Sequence, residues 1–366
     1  MKNVSIHTGV FAPVGGGCAE YHVQITVSDP SLPFEGQLEA LLQAMREASS
    51  GRTVHFRRFF LSDAANQAPR LMEALQELPS VPTSIVQQAP LDGTRIAMWM
   101  YCTSLMECPG GVPAHNGYSH LWAGSLVSPG PDSRSQTGGI FISLEERLAR
   151  RGLHVSADTV RTWIFVRDVD VNYAGVVAGR REFFAGIGLT PQTHFIASTG
   201  IGGRHPDSRC TVMADAYSIG GLDCGQLSYL YALDHLSPTA VYGVTFERGA
   251  AVTYGDRRHL FISGTASIDE KGRVMYPGDA RAQAGRMLDN VAALLAEGGA
   301  SPEDIVMAVV YLRDPADYAL VRSVLVRRCP GLHAIYVHGP VCRPAWLVEM
   351  ECIAVTPAGN AAFRAF

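Results

Sequence analysis

Two carboxylates, Glu349 and Glu351, lie in an otherwise apolar stretch near the C-terminus of this 366-residue chain. The stretch, residues 346–355, has the composition of a buried β-strand. Side chains alternate faces along a strand, so both glutamates share one face. A charge in such a strand needs a partner or a task. A protonated carboxyl there suits general acid catalysis, because burial and a like charge both raise its pKa. We take Glu349 as the candidate acid and Glu351 as a supporting group.

Cationic groups elsewhere in the chain could hold an anionic substrate beside that acid. Arg343 follows Cys342 and precedes Glu349 by six residues, and Arg161 lies in a second apolar strand. A guanidinium binds a carboxylate in a bidentate geometry, so both arginines are candidate substrate ligands. Surface ion pairing is the alternative for each. Cys342 is either a residue of the site or a small buried packing residue.

A glycine-rich segment and a tyrosine are further candidates for the same site. Residues 198–203 include Thr199 and Gly200, whose backbone N–H groups could bind an anion, or they form an ordinary turn. The segment lacks the GxGxxG spacing of a dinucleotide site. The hydroxyl of Tyr242 could bond a substrate, with aromatic packing as its alternative. The histidines and cysteines show no metal-ligand spacing, so we expect neither a metal nor a cofactor.

The composition argues against several classes of partner. The net charge is −4 with neutral histidine, and no run of Lys and Arg exceeds two residues, which disfavours nucleic-acid binding. The first residues lack an apolar signal-peptide core, and no stretch approaches the roughly 20 apolar residues of a membrane helix. We therefore expect a cytoplasmic protein that acts on a small-molecule carboxylate, without nucleic-acid or membrane partners, as a monomer or small homo-oligomer.

A weak internal repeat indicates the architecture. Three runs of β-branched and aromatic residues each end in an aspartate, at Asp63, Asp168 and Asp314. A helical pattern precedes each run and another follows it, with the aspartate as a natural helix N-cap. Further strands complete each copy. The predicted unit is β-β-α-β-α-β-β, an α+β arrangement in which helices pack on one face of a mixed sheet.

The repeat divides the chain into three units. We place their bounds at 1–110, 111–235 and 236–366. The first unit is expected to be diverged or truncated at its hairpin, whereas the third is predicted to have a hairpin over 259–268 and 272–276. The serine- and glycine-rich segment 128–138 has the composition of a linker.

The third unit resembles the Rid/YjgF family along nearly its whole length. The matching segments are FISGTASI at 261–268, GDARAQ at 278–283, VVYLRD at 309–314 and LVEMECIAV at 347–355. The resemblance implies a chorismate-mutase-like α+β fold. Because family members are trimers with ligand sites between subunits, it also implies a covalent pseudo-trimer with three clefts. When the last strands are aligned, Met213 and either Ala97 or Met98 occupy the position of Glu349, so one cleft would hold the acid.

A narrower resemblance is to the chorismatases, large single-chain relatives of the Rid fold, over roughly residues 120–355. Its motifs are Cys-Arg at 342–343 before Leu-Val-Glu, Ser-Gly-Thr-Ala-Ser at 263–267, Pro-Gly-Asp at 277–279, Arg-Thr-Trp at 161–163, Ala-Ser-Thr-Gly-Ile-Gly-Gly at 197–203, and Tyr-Gly at 242–243 with Phe246 and Arg248. Ile164 and Phe165 depart from the family's Asn-Tyr, and residues 1–110 match poorly.

The resemblance implies cofactor-independent removal of pyruvate from chorismate. Glu349 would protonate the methylene carbon of the enolpyruvyl ether, giving an oxocarbenium ion that water or an internal hydroxyl captures. The product is 3-hydroxybenzoate or a dihydroxycyclohexadiene carboxylate, and a cysteine at 342 goes with the former. One alternative is a Rid-type enamine or imine deaminase, whose arginine would fall at residues 333–334, where there is none. The other is a non-catalytic protein that binds small carboxylates.

Overall fold

Three mixed β-sheets with helices make up the described residues, which are 3–104, 106–239 and 243–366 of this computed structural model. The first unit consists of β1 (Val4–Phe11), β2 (Glu20–Val27), α1 (Phe34–Ser49), β3 (Thr53–Leu61), α2 (Ala64–Leu75), β4 (Thr83–Gln87) and β5 (Ile96–Thr103). Its helix α1 buries Leu38, Leu41, Leu42 and Met45, which recur at helical spacing and so form one apolar stripe.

The second unit has the same succession of elements. It consists of β6 (Ala114–His115), β7 (Tyr118–Leu126), α3 (Ser133–Ala149), α4 (Val155–Asp158), β8 (Thr159–Val166), α5 (Val169–Gly186), β9 (Ala197–Gly202) and β10 (Val212–Gly220). The prediction of a linker over 128–138 was wrong in its second half. Asp132 and Ser135 form a capping box that starts α3, and this helix packs closely on Gly175 and Gly179 of α5.

The third unit contains the acidic strand. It consists of β11 (Leu227–Leu230), β12 (Gly249–Thr253), β13 (Arg258–Ala266), α6 (Ala280–Glu297), β14 (Ile305–Leu312), α7 (Tyr318–Arg328), β15 (Ile335–His338) and β16 (Val348–Thr356). The hairpin predicted over 259–276 is replaced by pairing of β12 with β13. An isolated bridge joins Ile268 to Val274, and the backbone N–H groups of Asp269 and Met275 donate to Arg273 and Ser267, so only a turn remains of the predicted second strand.

All three sheets repeat one strand order. The orders are β1-β2-β5-β3-β4, β6-β7-β10-β8-β9 and β12-β13-β16-β14-β15, with β11 added outside β12. The predicted α+β fold with three repeated units is therefore confirmed. The first unit has a full hairpin of two eight-residue strands, so the hairpin is not truncated. None of the helices in the described ranges has the length and apolar character needed to cross a membrane.

The strand register identifies equivalent positions in the three units. The strand that precedes the second long helix ends at Leu61, Val166 or Leu312, and these residues pair with Ile96, Val212 and Val348 respectively. Counting one residue onward from each partner, Ala97 and Met213 occupy the position of Glu349. Two residues further, Trp99 and Asp215 occupy the position of Glu351. The three units thus place different chemistry at one geometrical position.

The units enclose a shared aromatic core. It contains rings from the first and second sheets at contact distance, including Phe56 and Trp122 with centroids 4.8 Å apart and Trp99 and Trp163 at 6.1 Å. Such pairs bury large areas and favour stacked or tilted geometry. This core fixes the orientation of neighbouring sheets and therefore the width of the clefts between them.

Candidate active site

A cleft between the second and third units contains the carboxyl of Glu349. The cleft encloses about 500 Å³, counted to its mouth. The second unit contributes Tyr173, Arg180, Ser198 and Gly200, and the third contributes Val244, Phe246, Arg248, Gly264, Ala266, Ile268, Cys342, Arg343, Trp346 and Glu349. An acid, three arginines and several apolar side chains therefore face one small volume, which is the composition of a site for a compact anionic molecule.

Glu349 owes its position to a bulge in the neighbouring strand. It pairs with Ala266 of β13 and Tyr311 of β14, and the register of β13 shifts between Ile262 and Thr265. A bulge re-aims the backbone next to a site. Here it brings Gly264 against the acid, since a Cβ built on Gly264 would overlap Glu349 Oε1 and lie 2.8 Å from its Cδ.

Replacing Gly264 by Ala should reduce the rate of acid catalysis by Glu349 by about 10- to 100-fold. The added methyl displaces the Glu349 carboxyl by the order of 1 Å. Gly138 in α3 provides the matched control, since a Cβ there meets no atom within 4 Å. Steady-state kinetics of Gly264→Ala and Gly138→Ala, each checked by thermal unfolding, would test this. Equal activity in the two variants would show that the close approach of Gly264 has no bearing on the acid.

Burial sets the protonation state of Glu349. The residue is 4% exposed. Burial first, and the nearby Glu351 carboxylate second, raise the pKa of Glu349 to about 8, against the opposing effect of Arg161 and Arg248. The carboxyl is therefore mostly protonated at neutral pH. A proton donor with a pKa this close to neutrality is well matched to general acid catalysis.

Glu351 belongs to a buried ion-pair network that joins the three units. It accepts hydrogen bonds from Arg161 Nη2 at 2.8 Å and from the Tyr311 hydroxyl at 2.9 Å, and the Thr199 hydroxyl also donates to it. Arg58 of the first unit lies 3.6 Å from Glu351 and 2.8 Å from Asp215. These donors satisfy both oxygens of the buried Glu351 carboxylate, whose charge is one of the two influences that raise the pKa of Glu349.

Arg161 and Thr199, predicted as substrate ligands, are not among the residues that line the cleft. The Arg161 guanidinium donates to Glu351 and to Thr199 Oγ1, at 2.5 Å in the latter case, and is 1% exposed. Thr199 also accepts from the Gly264 N–H at 2.9 Å. Both residues therefore support the walls of the site. Gly200, Cys342 and Arg343 do line it, whereas Tyr242 lies outside the described residues.

Sequence reasoning did not single out Arg180 and Tyr173, which line the cleft from α5. The Arg180 guanidinium donates to Thr245 Oγ1 at 2.9 Å and Ser198 Oγ at 3.3 Å. Its Nη2 has no hydrogen-bond partner among the described residues, although the side chain is buried. The two residues are seven apart, which is two helical turns on one face, and that spacing was the available signal.

The two other arginines of the cleft differ in exposure. Arg248 is buried, with Nη2 donating to the Ser237 carbonyl at 2.9 Å. Arg343 is exposed at the mouth, with its guanidinium 5.3 Å from the centre of the Trp346 ring. The pair therefore offers positive charge both inside the cleft and at its entrance, which suits a substrate with more than one carboxylate.

Cys342 is a neutral thiol in this setting. Burial first, and Glu349 second, raise the pKa of Cys342 to about 12, while the Tyr173 hydroxyl lies beside it. A thiol is a poor nucleophile compared with a thiolate. Cys342 therefore lines the cleft as a poor candidate for a nucleophile. Across the ranges that the structure describes, no group of three His, Cys, Asp or Glu side chains could hold a metal ion.

Comparison with known proteins identifies the family. The model of the Endoribonuclease L-PSP family matches residues 249–356. A RutC family protein of Pyrococcus abyssi is 37% identical over 97 residues, which cover 26% of this chain and 76% of that protein. The chain belongs to the RutC, or Rid/YjgF, family. The sequence resemblance to that family is thereby confirmed, and the matched region includes the strand with Glu349.

The whole chain resembles a larger relative of the Rid fold. A crystal structure of a chorismatase superposes with a TM-score of 0.64 at 18% identity, covering 97% of this chain and 99% of the other. The similarity includes the first unit, for which the sequence resemblance was poor. The Rid-like chain therefore has the chorismatase fold, with all three units present.

Proposed function

We propose that this protein is a chorismatase-like enzyme that removes pyruvate from chorismate without a cofactor. The observation that carries the proposal is a carboxyl whose raised pKa keeps it protonated, in a cleft with three arginines. Chorismate has two carboxylates and an acid-labile enolpyruvyl ether. The arginines provide partners for the two carboxylates, and Glu349 provides the acid that cleaves the ether.

The mechanism begins with transfer of the Glu349 proton to the methylene carbon of the enolpyruvyl group. The carbon–carbon double bond supplies the electron pair, and an oxocarbenium ion forms at the ether carbon. The ionised Glu349 carboxylate stabilises this cation electrostatically. Capture by water and collapse of the hemiketal break the ether bond, releasing pyruvate and a dihydroxycyclohexadiene carboxylate.

A second outcome needs no net water. If the neighbouring ring hydroxyl captures the cation, a cyclic ketal forms. Loss of a ring proton then breaks the bond between the ring and the oxygen of that hydroxyl and makes the ring aromatic, and the hemiketal left behind collapses to pyruvate and 3-hydroxybenzoate. We favour this product because, in the chorismatase resemblance, a cysteine at 342 goes with it, and Cys342 lines the cleft beside Tyr173 and Glu349. We therefore propose that Cys342 acts through its shape in the cleft and not as a nucleophile, which agrees with its neutral thiol.

A Rid-type deaminase fits the cleft less well. The edge strand that faces Glu349 from the second unit is β9, and its residues Ala197–Gly202 include no arginine. His333 and Ala334 lie in a different cleft, between the third and first units. The arginines around Glu349 come instead from α5 and from the two ends of the third unit.

A pyruvate assay tests the function directly. Purified protein is incubated with chorismate, pyruvate is measured with lactate dehydrogenase, and the organic product is identified by mass spectrometry. We expect pyruvate together with 3-hydroxybenzoate or the dihydrodiol. The absence of pyruvate, with chorismate binding retained, would instead support a carboxylate-binding protein without turnover.

Replacing Arg180 by Gln should raise KM for chorismate by about 10- to 100-fold, since a charge-assisted hydrogen bond contributes roughly 1.5–3 kcal/mol. Arg343→Gln should have a smaller effect, because its guanidinium is exposed to water. Arg327→Gln, at an exposed position on α7, is the control and should leave KM unchanged. An equal effect of all three substitutions on KM would contradict a specific role for Arg180.

A further inference from the structure

A second cavity lies between the first and second units and shares no lining residue with the Glu349 cleft. The space between its lining residues amounts to about 680 Å³, including solvent at its open side. Its lining comes from the start of β3, from β7 and β10, from the C-terminal half of α3 and from the segment before β6. The proposed reaction uses none of these residues.

The polar part of this cavity consists of buried ring nitrogens. His55 and His120 both line it and are 1% and 0% exposed. His55 Nε2 bonds Thr103 Oγ1 at 2.7 Å, and His120 Nδ1 bonds the Tyr217 hydroxyl at 2.7 Å. The other nitrogen of each imidazole, and Nε1 of the lining residue Trp122, have no partner within the described ranges. Leaving such groups unpaired is costly, so they call for an occupant with polar atoms.

These imidazoles are uncharged at neutral pH. Burial lowers the pKa of His55 to about 4 and that of His120 well below its ordinary value. A neutral imidazole has one donor and one acceptor nitrogen. The matching group on a ligand is therefore a hydroxyl, which can donate and accept, and not a second charge.

Positive charge lies elsewhere on the cavity lining. Arg147 lies in the last turn of α3 and Arg151 in the turn that follows it, and both are exposed. Between them and the histidines the walls are apolar, with Leu121, Leu144, Leu148 and the Trp122 ring. An anionic group, a flat apolar body and a hydroxyl are thus accommodated in different parts of one cavity.

We propose that this cavity binds a small aromatic carboxylate with a ring hydroxyl. Its carboxylate would bind Arg147 and Arg151, its ring would contact Trp122 and the leucines, and its hydroxyl would bond the free nitrogens of His55 and His120. The bound molecule would thus lie at the junction of the first two units. Binding at this cavity does not depend on chorismate turnover at Glu349.

Isothermal titration with 3-hydroxybenzoate and with benzoate tests the proposal. The double variant Arg147→Gln/Arg151→Gln removes the two exposed cations of this cavity, and Arg343→Gln serves as the control for the other cleft. We expect a saturable site for 3-hydroxybenzoate that is weakened at least about tenfold in the double variant and retained in Arg343→Gln. Benzoate should bind this site several-fold more weakly, because it leaves the imidazole nitrogens unpaired.

Three results would overturn the proposal. The first is that 3-hydroxybenzoate shows no saturable binding. The second is that its binding is unchanged in the double variant, and the third is that its binding is lost only in Arg343→Gln. In each case buried water would be the occupant of the histidine nitrogens. Pyruvate release from chorismate is measured separately and should be unchanged in the double variant. Failure of this proposal is therefore distinguishable from failure of the proposed reaction.

Discussion

Glu349→Gln should lower the rate of pyruvate release by about 10²- to 10⁴-fold, which is the usual contribution of a positioned general acid. Gln keeps the size of the side chain but cannot deliver a proton to carbon. The fold should remain intact, because the amide replaces a carboxyl that is already neutral at pH 7. Steady-state kinetics and circular dichroism of the purified variant would check both expectations.

The matched control is Glu247→Gln. Glu247 is also a buried carboxyl, and burial raises its pKa, but it accepts a hydrogen bond from the Phe195 N–H and does not line the cleft. Its variant should retain most of the activity. Comparable loss in both variants would mean that buried carboxyls matter here for folding and not for proton delivery.

The same residue should give the activity and the stability a pH dependence. Because the protonated form is the acid, kcat should fall as the pH rises through about 8. The folded pKa exceeds the unfolded value, so the native state binds more protons between them and stability falls as pH rises across this interval. Glu349→Gln should lose less stability than the wild type between pH 6 and 9 in urea unfolding. Parallel stability curves would contradict the raised pKa.

Local sequence signals predicted the elements well where packing did not modify them. The helical pattern predicted after the third run corresponds to α7, Tyr318–Arg328. The aspartates after the three strands were less informative. Asp314 accepts from the Ala316 N–H but caps the short 3-10 turn Pro315–Asp317 and not α7 itself. Asp168 adopts a positive φ of 48° and pairs with Arg204 at 2.9 Å. A surface arginine distant in sequence thus competes with the helix for that carboxylate.

The acid was predictable from alternation along a single strand, but most of its surroundings were not. Arg180, Arg248 and Gly264 lie on three different elements and converge only when the second and third units pack together. Sequence periodicity describes one element at a time and contains no information about that contact. Arg161 illustrates the same limit, because its partner Glu351 is 190 residues away in the chain.

Arg161→Met should therefore act chiefly on stability. It removes the 2.8 Å partner of a carboxylate that is 1% exposed, and breaking a buried pair from one side costs about 3–5 kcal/mol. Arg134→Met is the control, since it breaks an exposed pair with Glu182 and should cost no more than about 1 kcal/mol. Urea unfolding of both variants at pH 7 would measure the difference.

A double variant separates the ion pair from substrate binding. Arg161→Met/Glu351→Leu removes both partners, and we expect it to recover much of the stability lost in Arg161→Met, because no unpaired charge then remains beside Arg161. If Arg161 instead bound substrate, the single variant would keep its stability and lose affinity for chorismate. Arg161 also lowers the pKa of Glu349. The fall in kcat with rising pH should thus move to higher pH in Arg161→Met, which a contact with substrate alone would not produce.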